Sequence, residues 1–328
     1  MTTQPHEPPA AAKAVGLIVV LTVVLAVIFV AFALPATRSA PNDVPIGVAG
    51  PPPAVAQIEL ALAERAPGGF AVTGFADPGA LRAAIENREA YGGLAVGPQG
   101  PTVLVASGAS PMIAGVLTQI GTSIGERSGL PVRTEDLAPL PAGDPRGVGL
   151  AAAALPLTLA GLLPAIALVF AFAGRPWLQL GTMVAFAVVA AVTIAALMRY
   201  LFDAIDTNFW GVTAGLSLGI AAMGLAVLGL GALFGRIGLG VGAVLAVLVG
   251  NPLSGINSAP ELLPGGWGTF GQLLPQGANA TLLRSTAYFG DAFPEPRATT
   301  AIIVLGCWVL VGVALIAIAA LRDRRSDA

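Results

Sequence analysis

The apolar and polar positions divide the chain into three kinds of segment. An uninterrupted apolar run from Ala14 to Leu34 carries no charge and matches the ~20 residues that a helix needs to cross a hydrocarbon core. Comparable runs recur at 148–173, 178–201, 209–234, 237–250 and 299–321, with Arg199 the one charge inside them. Six transmembrane helices are therefore expected. The fifth is the shortest, stops at Asn251-Pro252, and reads as a broken or re-entrant helix continuing through Gly255.

Between Pro35 and Gly147 charges return and short apolar strands alternate with amphipathic patterns. The pattern predicts strands at 44–49, 70–75, 93–96, 102–106 and 132–136. Helices are predicted over 54–66, 78–88 and 110–127, with Asp77 and Ser110 as N-caps and Pro78 and Pro111 at the first helical position. The order β-α-β-α-β-β-α-β implies a small mixed sheet. From 251 to 298 Pro and Gly interrupt the pattern too often for one straight helix. Pro260 and Pro275 can each open a short one, and Trp267 and Phe270 suit a membrane interface. This segment reads either as an interfacial cap or as a re-entrant pair of half-helices closing a hydrophobic path.

The fold class is thus a membrane α-helical bundle with an inserted extracytoplasmic α/β domain at 35–147. Composition strengthens it: 55% of the 328 residues are hydrophobic and 10% charged, against about 25% charged in soluble domains. Residues 1–13 and 322–328 read as tails. Lys13, Arg175, Arg236 and the cluster Arg322, Arg324 and Arg325 fall on one side of a six-span drawing, which the positive-inside rule makes cytoplasmic. The first apolar run exceeds the roughly 7–15 residues of a signal-peptide core, so an uncleaved anchor in a bacterial plasma membrane is expected, both termini inside.

A formal charge of -2 offers no basic surface for nucleic acid. One cysteine, Cys307, excludes an internal disulfide, and one histidine, His6, excludes a Ser-His-Asp arrangement. No phosphate-binding loop or HExxH motif occurs. Neither an enzyme nor a metal or cofactor is expected. No Asp, Glu, His or Lys lies at the centre of a span, where proton-coupled carriers place a titrating group. Asp203 and Asp206, near Arg199 at the outer end of the third span, read as an interfacial charge pair rather than a proton site. Gly211, Gly215 and Gly219 recur every fourth residue and read as a helix-packing face. The candidate functional residues are Asn251, Pro252, Ser254 and Gly255 at the break, Pro275, Gly277 and Arg284 beyond it, and Asp144 with Arg146, a surface pair at the exit of the α/β domain.

One span, an external α/β domain, then five spans, with the NPLSG element at Asn251–Gly255 and the stretch from Leu274 to Gly290, resembles the membrane subunit of type-2 ABC exporters. Within that superfamily EAYGGLAV (Glu89–Val96), VLVASGAS (Val103–Ser110) and DLAPLPAGDPRG (Asp136–Gly147) are similar to YhgE/Pip-like and actinobacterial permease-like proteins. The resemblance implies export of a lipid, a hydrophobic compound or an envelope component, with membrane lipid, a separate ATPase subunit and a second copy of the chain as partners. The loop Ala173–Gly181 departs from that pattern, being too short for the helix that docks an ATPase. The competing reading is a non-transporting envelope scaffold, receptor or secretion accessory.

Overall fold

The computed structural model describes residues 10–97, 100–290 and 293–326; His6 and most of the expected N-terminal tail lie outside the described residues. A long helix, α1 (Ala10–Thr37), leads into the sheet domain. There the elements are β1 (Val44–Ala49), α2 (Pro52–Arg65), β2 (Phe70–Phe75), α3 (Pro78–Glu86), β3 (Gly92–Gly97), β4 (Gly100–Val105), α4 (Pro111–Ser128) and β5 (Arg133–Asp136). The sheet order is β2-β1-β3-β4-β5. Strands joined by a helix run parallel, and β3 and β4, joined directly, run antiparallel with Leu94 opposite Val103.

Local chemistry explains the element starts. Asp77 accepts a hydrogen bond from the Ala80 amide at 2.9 Å, Ser110 accepts one from Ile113, and a proline follows each at the first helical position. Gly129 ends α4 with φ 67°, where a side chain would be strained. Ile46, Leu81, Ile85, Leu94, Leu104 and Leu117 fill the core of this domain.

The rest of the chain is helical: α5 (Val148–Ala152), α6 (Ala154–Ala171), α7 (Pro176–Tyr200), α8 (Phe209–Val244) running into a π-helical turn at Leu245–Gly250, a 3-10 turn at Pro260–Leu262, α9 (Trp267–Gln272), α10 (Pro275–Tyr288) and α11 (Pro296–Ser326). Among the described residues five helices are long and apolar enough to cross a membrane: Lys13–Thr37, Val148–Ala171, Pro176–Tyr200, Phe209–Gly250 and Pro296–Arg322. The chain is a helical protein with membrane-length apolar helices and a small mixed sheet, which is compatible with a membrane location.

Small residues let the bundle close. On α7 Met183, Ala187, Ala191 and Ala195 form a buried stripe at four-residue spacing, while Val184, Val188 and Val189 face outward. A Cβ on Gly224 of α8 would sit 3.3 Å from the Gly161 carbonyl of α6, so these backbones meet directly. Exposed rings gather at helix ends, Trp177 and Phe234 at one end and Tyr200, Phe202 and Trp210 at the other, as at the two interfaces of a bilayer.

Gly235 carries φ 60° and ψ -138° inside α8. A Cβ on Gly242 would lie 3.3 Å from both methyls of Val227, although a straight helix would separate these residues by roughly 22 Å. The chain therefore turns back at Gly235, and the two limbs of α8 pack on each other. By contrast α1 is exposed on every face from Val15 to Val30 and meets the rest of the molecule at its C-terminal end.

Candidate functional site at the break and the buried polar helix

The segment that the sequence leaves as either an interfacial cap or a re-entrant pair of half-helices contains α10, and every residue of it from Pro275 to Ala287 is buried, with α8 and α11 packed against the helix. Its C-terminal end lies beside the start of α8, where the Tyr288 hydroxyl donates to the Ala204 carbonyl at 3.3 Å. Its N-terminal end lies deep, where Gln276 donates to the Ala246 carbonyl at 3.0 Å and approaches the Met223 sulfur at 3.6 Å. Met223 is roughly 20 Å along α8 from Phe209 at the usual helical rise. A polar helix thus enters the bundle from the end that carries the sheet domain.

Most of its polar groups find partners inside the protein, as burial requires, with Asn279 Oδ1 the exception. Ser285 Oγ lies 2.9 Å from Thr281 O and 2.6 Å from Glu295 Oε1, its one proton shared between them, Thr281 donates to Gln272 Oε1, and Asn208 donates to Thr286 O at 2.9 Å. Arg284 places Nη1 2.9 Å from Gly255 O and Nη2 2.6 Å from Ile256 O. One planar guanidinium thereby holds two carbonyls that the broken helix leaves without a ladder partner. Asn279 is 6% exposed, its Oδ1 has no partner, and it lines a cavity of about 20 Å³ with Thr158, Asn251, Ser254 and Gln276.

Two ionic clusters tie the sheet domain to this end of the bundle. Arg88, in the turn between α3 and β3, donates to Thr281 O at 3.2 Å, to Ser285 Oγ and to Glu295 Oε1 at 3.3 Å. Glu295 also accepts from the amides of Arg297 and Ala298, capping α11. Beside it Tyr91 donates to Glu261 Oε2 at 2.6 Å, and Arg297 Nη1 reaches Glu261 Oε1 at 2.9 Å and the Tyr91 oxygen at 3.0 Å. Burial pushes the Tyr91 phenol up to about 12, with Arg297 opposing and Glu261 adding to the shift. Burial likewise pulls Arg88 down to about 10.

The structure gathers Asn251, Ser254, Pro275 and Gly277 around the base of α10 and sets Gly255 against Arg284 more than two turns further along the helix; a Cβ on Gly277 would collide with the Gly271 carbonyl of α9. Pro252 instead faces the end of α1, lining a groove of about 330 Å³ with Leu34, Pro35 and Phe270. Asp144 and Arg146 are not a pair. Asp144 is 8% exposed and accepts from the Val148 and Gly149 amides at 2.8 and 2.7 Å, capping α5, whereas Arg146 is exposed. Arg199 is not paired with Asp203 either, since its Nη1 donates to the Asp206 backbone carbonyl at 2.7 Å. Of the three spaced glycines, Gly215 and Gly219 pack against Leu282 and Asn279 of α10, whereas Gly211 lies against its own N-cap, Asn208.

Arg88, Tyr91, Glu261, Asn279, Glu295 and Arg297 were not singled out by the sequence. Their signal is weak, since each is an isolated polar residue whose partners lie far along the chain; the densest hint is the charge at 261, 284, 291, 295 and 297 in a sparsely charged half of the chain. No protein-family model, curated protein or solved structure matches the chain.

Proposed function

We propose that the chain is a permease-like membrane protein of the type-2 exporter kind, moving a hydrophobic or envelope-associated compound outward with energy from a separate ATPase subunit. The observation that carries this reading is α10, a polar helix sunk into an apolar bundle from the sheet end. Burying that many polar groups costs stability unless they are satisfied, and a mere anchor has no use for them. Half-helices that stop near the middle of a bundle are the way membrane carriers present backbone and polar groups along a path.

In this reading α8 crosses the membrane up to Gly235, and the limb after it, continued by the broken segment, makes the return crossing, giving six crossings, with both termini cytoplasmic and the sheet domain outside. The limb after Gly235 is short, and the π-helical turn and Asn251-Pro252 end it where α10 begins. The ionic clusters at Arg88 and Arg297 make the sheet domain and the mouth of the bundle one unit, so a partner bound to the sheet would act directly on α10.

The test is purification of the full chain from its native membrane in mild detergent, followed by reconstitution. Co-purification of a P-loop ATPase and ATP-dependent movement of a fluorescent lipid or hydrophobic probe across the vesicle supports export. Absence of both, with a partner retained on the sheet domain, leaves the scaffold reading in its place.

A further inference from the structure

A second cavity, of about 580 Å³, lies where α9, the 3-10 turn and the start of α11 meet the chain leaving α1. Its polar wall carries Asp43, Glu261, Thr269, Gln272, Arg297 and Thr300. Its apolar side carries Leu263, Leu273 and Ala301, and beyond Ala301 the outward face of α11 continues with exposed Ile302 and Ile303. The cavity thus passes from charged groups to an apolar helix face, which is the profile of an amphiphile straddling an interface.

The charges select among amphiphiles. Two carboxylates, Asp43 and Glu261, stand against one guanidinium, Arg297, so a ligand that is only anionic is opposed. Arg297 spends Nη1 on Tyr91 and Glu261, while Nε and Nη2 have no hydrogen-bond partner among the described residues. Free guanidinium donors suit a phosphate oxygen. The exposed Asp43 carboxylate suits an ammonium.

We propose that this cavity binds the headgroup of a zwitterionic, ammonium-bearing phospholipid from the leaflet at the sheet end, phosphate toward Arg297 and ammonium toward Asp43, with the acyl chains along α11. This is an equilibrium site and holds whether or not the chain translocates anything.

The experiment uses the full-length protein in detergent with equimolar phosphatidylethanolamine and phosphatidylglycerol of identical acyl chains, retained lipid being read by native mass spectrometry. Phosphatidylethanolamine should be retained by about fivefold over phosphatidylglycerol, a difference of the order that one charge contact gives. Asp43 has φ 49°, a conformation asparagine adopts readily, so Asp43→Asn removes the charge while keeping the turn. It should bring the two lipids to parity. Thr269→Trp, an exposed position on the cavity wall, should lower retention of both with the thermal midpoint unchanged. Equal or greater retention of phosphatidylglycerol by the native protein overturns the proposal, as does an unchanged preference in Asp43→Asn. Displacement of the lipid by soluble phosphoethanolamine at equal concentration would assign the site to a free solute and overturn the lipid assignment.

Discussion

Arg284 of α10 and Gly255 of the broken segment are 29 residues apart, yet the guanidinium Nη1 lies 2.9 Å from the Gly255 carbonyl, and Nη2 holds the next carbonyl, of Ile256. Gly255 has φ 67°, so the turn that aims these carbonyls inward would be strained with a side chain. Cation and turn define each other.

Arg284→Met should therefore destabilise the protein by about 2–4 kcal/mol, because two buried carbonyls lose their donors. Arg284→Lys should recover little of this, since an ammonium lacks the planar fork that bridges both oxygens. Chemical unfolding of the full chain in detergent reads the difference, and a near-native Arg284→Lys would show that charge alone suffices.

Gly219 and Gly215 should respond differently to alanine. A Cβ on Gly219 would fall inside the Asn279 side chain, whereas on Gly215 it would meet the Leu282 Cγ at 3.3 Å, a contact a small shift relieves. Gly219→Ala should cost about 1–3 kcal/mol as overpacking does, and Gly215→Ala clearly less. Equal losses at both positions would contradict the close seating of Asn279 on α8.

Arg88 should govern docking of the sheet domain without governing its folding. Arg88→Gln removes the bond to Ser285 and the ion pair with Glu295, but leaves the sheet core of Ile46, Leu94 and Leu104 untouched. Hydrogen exchange should rise in residues 281–289 and 295–298 while β1, β3 and β4 stay protected. A uniform rise across the sheet would show that the domain depends on the bundle to fold.

Tyr91 makes alkaline stability pH-dependent. Its phenol titrates at about 12 when folded against 10 as a free side chain, so between these values the folded protein keeps a proton that the unfolded chain releases. That contribution is complete below pH 10 and declines by about 1.4 kcal/mol per pH unit up to 12. Arg88, pulled down to about 10, works in the opposite direction over the same range and is electrostatically coupled to Tyr91, so the comparison with Tyr91→Phe reads the phenol together with that coupling. The stability gap between native protein and Tyr91→Phe should be constant below pH 10 and narrow from 10 to 12; a constant gap throughout would contradict the shift.

The sheet domain was legible in the sequence because its determinants are local. Strands β1 and β2 occupy the predicted residues, and Asp77 and Ser110 cap the helices they precede. The apolar runs were equally legible, and the interruption between 234 and 237 coincides with the turn at Gly235. What the sequence concealed was placement. It left the segment holding α10 open between a cap and a re-entrant element, because the partners that Glu295, Asn208, Gly255 and Arg88 supply to it lie 10 to nearly 200 residues away along the chain. Asp144 misled for a similar reason, because its neighbour Arg146 looked like a partner while the carboxylate was capping α5.

Six crossings require the chain between Phe209 and Pro260 to cross the membrane twice, so that α9 and the sheet domain share one side. In a Cys307→Ser background, single substitutions Glu59→Cys, Arg236→Cys and Thr269→Cys, all at exposed positions, can be probed with a membrane-impermeant maleimide on intact cells. The account predicts labelling at 59 and 269, with 236 labelled only after permeabilisation. Labelling of 59 without 269, as a single crossing by 209–250 would give, or of 236 in intact cells, would contradict it.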